Sequence, residues 1–277
     1  MELSSGSPEI VVGLIDGAVA TNHPDFAAAS IRQLDPSPRG TPGRANHTAR
    51  SHGTYVAGIL SARRGSAAPA ICPECKLLVR PIFLEKRSAG VEMPSATPDE
   101  LADAIVECVD AGAQVLNLSV AVAQPSPNRE RRLEDSLNFA AQSAVLVVAA
   151  AGNQGTVGGS AITRHLWVIP VAACDAQRRP LGMTNLGNAI GRRGLMAPGD
   201  AITSLDADGG TTTSSGTSAA APFVTGTIAL LWSIFGRSSP ELIKTAVTRA
   251  ITRRNAVVPP VLDAAAAYQF MAAHVTR

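Results

Sequence analysis

Five short stretches of the chain, residues 10–15, 76–83, 114–118, 144–150 and 166–172, are almost unbroken in apolar residues. Runs this brief, with so few polar positions, suit strands buried on both faces. Between them the spacing becomes helical. Leu101, Ala102, Ile105, Val106 and Val109 share one helical face. Ahead of them stand Thr97, Pro98 and Glu100: a cap, a proline at the first helical position and a glutamate to close a capping box. Ser239, Pro240 and Glu241 open a second such helix, carrying Leu242, Ile243, Ala246, Val247 and Ile251. Strand and helix alternate over most of the length, which predicts an α/β fold with a mainly parallel central sheet and right-handed crossovers. Residues 35–50 and 85–96, rich in Pro, Gly, Ser and charge, are expected to be surface loops. No internal repeat is visible.

At 277 residues, with 45% apolar and 17% charged positions, the chain can bury about 75% of its extended surface. One domain over residues 1–277 is the expectation. The net charge of +2 gives too weak a field for a nucleic-acid partner or an anionic membrane surface. The longest apolar run, residues 144–151, is far short of the roughly 20 residues of a membrane helix. The opening Met1-Glu2-Leu3-Ser4-Ser5-Gly6 has neither a basic nor an apolar signal region, so a cytoplasmic home is the default. Secretion is the alternative if a leading segment has been removed. Four cysteines are too few for a disulfide scaffold at this length.

In an open parallel sheet, reactive groups gather where strands end and helices begin. Three segments fit that place. The strand at residues 10–15 ends in Asp16-Gly17, which by itself reads as a turn. Ser51-His52-Gly53-Thr54 leads into small residues and reads as a histidine at a helix start. Residues 210–218 carry a Gly, Ser and Thr-rich run ending in Gly216-Thr217-Ser218, followed directly by an apolar helix; alone this is an ordinary N-cap. Together they are more than three turns. A hydrolytic serine needs a base to take its proton and a carboxylate to orient that base.

The strings LIDGAVATNHPDF, SHGTYVAGIL and SGTSAAAPFVTG resemble the three active-site signatures of the subtilisin-like serine proteases, in that family's chain order. A fourth, AAAGNQG at residues 149–155, resembles the segment bearing the family's oxyanion-hole asparagine. The resemblance spans residues 11–226 and implies a three-layer subtilisin-like fold with a mainly parallel sheet flanked by helices. It implies that Asp16 orients His52, that His52 is general base and then general acid, that Ser218 is the nucleophile, and that Asn153 helps hold the oxyanion. No G-x-S-x-G elbow, P-loop or G-x-G-x-x-G occurs, against α/β-hydrolases, P-loop NTPases and Rossmann dehydrogenases.

Residues 116–121 resemble the family's cleft strand, which takes a peptide substrate as an added extended strand. Leu118, Ser119, Val120, Ala121, Ala151 and Gly152 are therefore the expected substrate contacts. Val120 and Ala121 stand where the family is glycine-rich, which favours small or medium P1 residues. Asp16-Gly17 lacks the usual intervening Thr, and Ala219 and Phe223 replace the usual Met and His. The altered cleft, the Asp-Gly signature and the CPECKLLVRPIF segment resemble family members that remove leaders from ribosomally made peptides such as cyanobactins. General turnover and a catalytically inactive peptide-binding homologue are the rival readings. Cys72-Pro73-Glu74-Cys75 is expected in a surface loop, as a local disulfide or two free thiols, because a zinc site needs two more ligands. Cys108 reads as core, and Cys174 follows a buried strand. His23, His47, His165 and His274 read as structural or surface residues with no visible partner. No cofactor and no metal is expected. Many members of the family hold calcium after the helix bearing the catalytic histidine, but here residues 61–75 offer only Glu74 as an acid, beside Arg63 and Arg64.

Overall fold

The computed structural model describes residues 3–34, 47–83, 96–119, 127–236, 238–249 and 257–275. Its elements follow in the order β1 (Val11–Asp16), β2 (Ile31–Gln33), α1 (His47–Ser61), β3 (Lys76–Pro81), α2 (Pro98–Asp110) and β4 (Val115–Leu118). Next come α3 (Pro127–Gln142), β5 (Leu146–Ala150), α4 (Ala161–Arg164), β6 (Val168–Cys174), α5 (Asn188–Arg193) and β7 (Leu195–Pro198). The chain continues through β8 (Ile202–Leu205), β9 (Thr211–Ser214), α6 (Thr217–Ile234), α7 (Pro240–Thr248) and α8 (Ala264–His274).

Seven strands form one parallel sheet in the order β2-β3-β1-β4-β5-β6-β7. Because the inner strands are apolar on both sides, alternate residues enter different cores. Val12, Leu14, Val115, Leu146 and Val148 face one cluster with α1, α6, α7 and α8. Ile15, Leu116, Leu118, Val147 and Ala149 face the other, against α2 and α3. This is the three-layer α/β arrangement expected. Each fully buried Leu or Ile in these layers contributes about 1.5–3 kcal/mol by leaving water.

Helix α2 begins as its sequence dictates. Thr97 Oγ1 accepts from the Glu100 amide, and the Glu100 carboxylate accepts from the Thr97 amide at 2.7 Å. Ser239 caps α7 through the Leu242 amide. Helix α6 is long and apolar enough to cross a membrane, yet 72% of it is buried inside the fold. The antiparallel β8–β9 hairpin grips α1: Ser204 Oγ donates to Tyr55 O at 2.6 Å, and Tyr55 Oη donates to Ile202 O at 2.8 Å.

Several local expectations change. The last strand of the sequence reading starts at Val168, since Leu166 is 74% exposed. Of residues 35–50, His47–Arg50 already belong to α1, and the rest lie outside the described residues, as do 84–95. Cys72 and Cys75 lie in the turn leading into β3, whose Glu74 is exposed, but their side chains point inward. Both are buried free thiols. The Glu74 amide donates to Ser5 O, and Arg64 donates to Ser4 O and Ser5 Oγ, so the N-terminal strap covers the pair. The hydrogen bond between the two thiols holds Cys75 down at about 7 and pushes Cys72 up. His23 and His47 also have partners: His23 Nδ1 accepts from the Asp25 amide, and His47 pairs with Asp208 at 2.9 Å. Cys108 is core, as read.

Candidate active site

The order of the sheet makes β1 the strand flanked by β3 on one side and β4 on the other, where successive connections change direction. A crevice opens beyond the carboxyl ends of strands at such a point. Asp16 ends β1 and is fully buried. Against it lies α1. His52 stands in the second turn of that helix, rather than at its start as the sequence suggested, because α1 already runs from His47.

Two glycines bring helix and strand together. A Cβ on Gly17 would fall 1.8 Å from Ala49 O, and one on Gly53 would fall 2.3 Å from Gly17 O. The backbones therefore touch, and His52 Nδ1 reaches Asp16 Oδ1 at 2.7 Å. The Gly17 amide donates to the same oxygen at 2.6 Å, while Asp16 Oδ2 is buried with no partner among the described residues. The Ala49 carbonyl fills the space a side chain at position 17 would need, which explains the missing Thr of the Asp-Gly signature. A carboxylate only accepts, so Nδ1 carries the proton and Nε2 is the ring's acceptor. Burial opposes charging of the ring, but the field of Asp16 and its hydrogen bond outweigh burial and raise the His52 pKa above 6.5.

Ser218 is the second residue of α6. Its amide belongs to the first turn, whose N–H groups have no acceptor within the helix. Pro222 sits four residues on and has no N–H to give the Ser218 carbonyl. Ser119 supplies the missing bond, its hydroxyl donating to Ser218 O at 3.3 Å. Asn117 Nδ2 donates to Ser119 Oγ at 2.7 Å, and Thr225 Oγ1 donates to Asn117 Oδ1 at 2.8 Å. A chain of buried polar side chains thus ties the end of β4 to α6.

Asn153 follows β5. Its Oδ1 accepts from the Thr217 amide at 2.9 Å and from Thr217 Oγ1 at 3.0 Å. With the oxygen end so held by the residue before Ser218, Nδ2 is left to donate elsewhere. Gly216, at φ +140°, leaves room, since a Cβ there would lie 2.9 Å from Asn153 Nδ2. The cap of α6 is this glycine and not a Ser or Thr side chain.

The structure therefore brings Asp16 and His52 into contact and puts Asn153 against the start of the helix that bears Ser218. Among the expected substrate contacts, Leu118 is turned into the α2–α3 core and Ser119 is committed to Ser218 O, so backbone is what they can offer a peptide. Ala151 and Gly152 lead into the Asn153 turn, and the Gly152 amide donates to Thr217 Oγ1 at 3.2 Å. Val120 and Ala121 lie outside the described residues. Sequence reasoning missed Asn117, Thr217 and Thr225. Thr217 had a signal, standing directly before the serine; a single Asn within a buried apolar strand was the signal for Asn117. Among the described residues no group of three or more His, Cys, Asp or Glu side chains is placed to hold a metal ion.

Known proteins resemble this chain over most of its length. The family model described as the subtilase family matches residues 7–266. A thermophilic serine proteinase of Bacillus sp. strain AK1 is 32% identical over 245 residues, 87% of this chain, which spans 56% of that relative's length. An intracellular serine protease of Paenibacillus polymyxa is 28% identical over 262 residues, 89% of this chain and 75% of the relative. Among solved structures, the protease domain of PatA superposes with a TM-score of 0.84 at 30% identity, covering 99% of both chains. The prenylagaramide maturation protease PagA does so with a TM-score of 0.84 at 28% identity, covering 98% of this chain and 96% of its own. The chain belongs to the subtilase family.

Proposed function

We propose that the chain is a serine endopeptidase that hydrolyses peptide bonds through an acyl-enzyme on Ser218. The observation that carries this reading is the buried Asp16 carboxylate holding His52 Nδ1 at 2.7 Å, since it fixes the tautomer whose Nε2 can take a hydroxyl proton. His52 removes the proton of Ser218 as Oγ attacks the carbonyl carbon. The oxyanion that forms is met by the Ser218 amide and Asn153 Nδ2, with the dipole of α6 behind them. His52 then protonates the leaving amine, and a water repeats the sequence to release the acid. Asp16 keeps its hydrogen bond to Nδ1 and steadies the imidazolium. Binding alone would need none of these four side chains, which weighs against an inactive peptide-binding homologue.

The substrate is a peptide bound as an extended strand beside β4, and the role is removal of a leader from a ribosomally made precursor inside the cell. Support comes from PagA, named a maturation protease, from the Asp-Gly signature and altered cleft, and from the intracellular protease among the relatives. General proteolysis is the second reading, favoured by the thermophilic proteinase. A fluorophosphonate probe should label the protein once, on Ser218, and S218A should neither label nor cleave. Labelling elsewhere, or cleavage by S218A, overturns the mechanism. Digestion of unstructured proteins at many sites would favour general turnover over leader removal.

A further inference from the structure

The turn that carries Asn153 is short, polar and open to solvent at Gln154–Thr156, yet its asparagine must be aimed before the oxyanion forms. Thr217 fixes only the oxygen end of that amide. What fixes the backbone beneath it is Asn185, which comes from the segment after β6 and lies in none of the four signature strings. Asn185 Oδ1 accepts from the Gln154 amide at 3.0 Å, from the Thr156 amide at 3.1 Å and from Thr156 Oγ1 at 3.1 Å. Its Nδ2 donates to Ala151 O at 3.1 Å and to Gln154 Oε1 at 2.6 Å. Its own amide donates to Gly152 O at 2.9 Å.

These bonds reach residues 151, 152, 154 and 156, on both sides of Asn153, and none is made to Asn153 itself. The fit is close. Gly152 has φ +103°, and a Cβ on it would lie 2.4 Å from Asn185 Nδ2. One residue thus pins four of the turn's backbone groups, three through its side chain and Gly152 O through its own amide, ordering residues whose free backbone entropy is worth about 1–2 kcal/mol apiece.

We infer that Asn185 is a positioning residue for the oxyanion hole, acting through Asn153; the inference rests on the reading of Asn153 given above. It touches no reacting atom. Its effect is to hold a donor where transition-state charge develops, so it bears on kcat and not on ground-state binding.

The test is a double-mutant cycle of N185A and N153A, followed with a peptide p-nitroanilide that the unaltered enzyme cleaves. N185A should lower kcat about 10- to 100-fold, the scale of a displacement near 1 Å, with KM changed less than about twofold. The Ki of a peptide aldehyde, which forms the tetrahedral adduct, should rise in proportion to the loss in kcat/KM. In the N153A background the same substitution should cost less than about twofold, because the donor it positions is gone. An unchanged kcat in N185A overturns the inference, as does a loss of equal size with and without Asn153, which marks a general structural role. If N153A itself keeps full kcat, the reading of Asn153 fails and the inference falls with it. Should N185A not fold, N185D serves in its place, since it retains the three accepted bonds and loses the two donated ones, and the same cancellation in N153A is required.

Discussion

Replacing Gly17 by alanine should uncouple the catalytic pair without touching either member. The added Cβ would sit 1.8 Å from Ala49 O and 2.4 Å from the Ala49 carbonyl carbon, both backbone atoms that cannot rotate away. Restoring ordinary contact near 3.4 Å requires β1 and α1 to part by about 1.6 Å. Ala49 and His52 are one helical turn apart in α1, so the imidazole recedes with its helix and the 2.7 Å bond to Asp16 opens to about 4 Å, beyond hydrogen-bonding distance. Misplacement by about 1 Å costs about 10² in rate, and loss of the orienting carboxylate in a serine triad about 10⁴. The expected fall in kcat lies between these bounds. Stopped-flow hydrolysis of a peptide p-nitroanilide, normalised to fluorophosphonate-reactive sites, measures it. The acid limb of the pH profile should also move down, because the burial of His52 persists while the raising influence of Asp16 weakens. A folded G17A enzyme with unaltered kcat and an unaltered acid limb would show that the glycine contact does not set the triad.

For the native enzyme, His52 must be neutral to act, and its pKa lies above 6.5; kcat/KM should therefore rise with pH through a midpoint above 6.5, and a midpoint below it contradicts the Asp16 pairing. The same raised pKa makes the charged pair a stabilising element that is fully present below the unfolded-state value and is lost as pH climbs through the folded-state one. The Tm, followed by calorimetry, should accordingly show a downward contribution from His52 across that window. Arg64 donates to Ile71 O at 2.9 Å in the loop after α1 and to Ser4 O of the N-terminal strap at 2.5 Å, so a guanidinium already occupies a carbonyl of that loop. EDTA should leave the Tm unchanged while R64A lowers it, and a large fall with EDTA alone would reveal a cation site outside this loop.

The parts of the fold written in local chemistry were legible in the sequence. Strands buried on both faces have no polar alternation to blur them, and the capping box at Thr97 lies within four consecutive residues. What was missed depends on distant partners. β2 is a three-residue edge strand, two of its residues polar, and β8 with β9 is a Ser/Thr-rich hairpin whose outer face meets water. Helix α3 did leave a trace, with Leu133, Leu137 and Ala140 falling on one face. In the site, Asp16, His52, Asn153 and Ser218 each stood in a recognisable string. Asn185 did not, because nothing in its neighbours distinguishes a turn asparagine that closes on its own loop from one that reaches 31 residues back. The burial of the Cys72 and Cys75 thiols left no local sign, because the strap that covers them is some 70 residues earlier in the chain.

Pro222 has a consequence for how this enzyme can change over generations. By denying the Ser218 carbonyl its helical bond, it hands control of the nucleophile's backbone to Ser119, the last described residue before the cleft segment, and so to Asn117 and Thr225 inside the core. The anchor lies upstream of the positions that differ from the family's glycine-rich pattern. Selection for a new peptide that rewrites the sequence beyond Ser119 can therefore leave Ser119, Asn117 and Thr225 as they are, and with them the buried frame to which the reacting serine is registered.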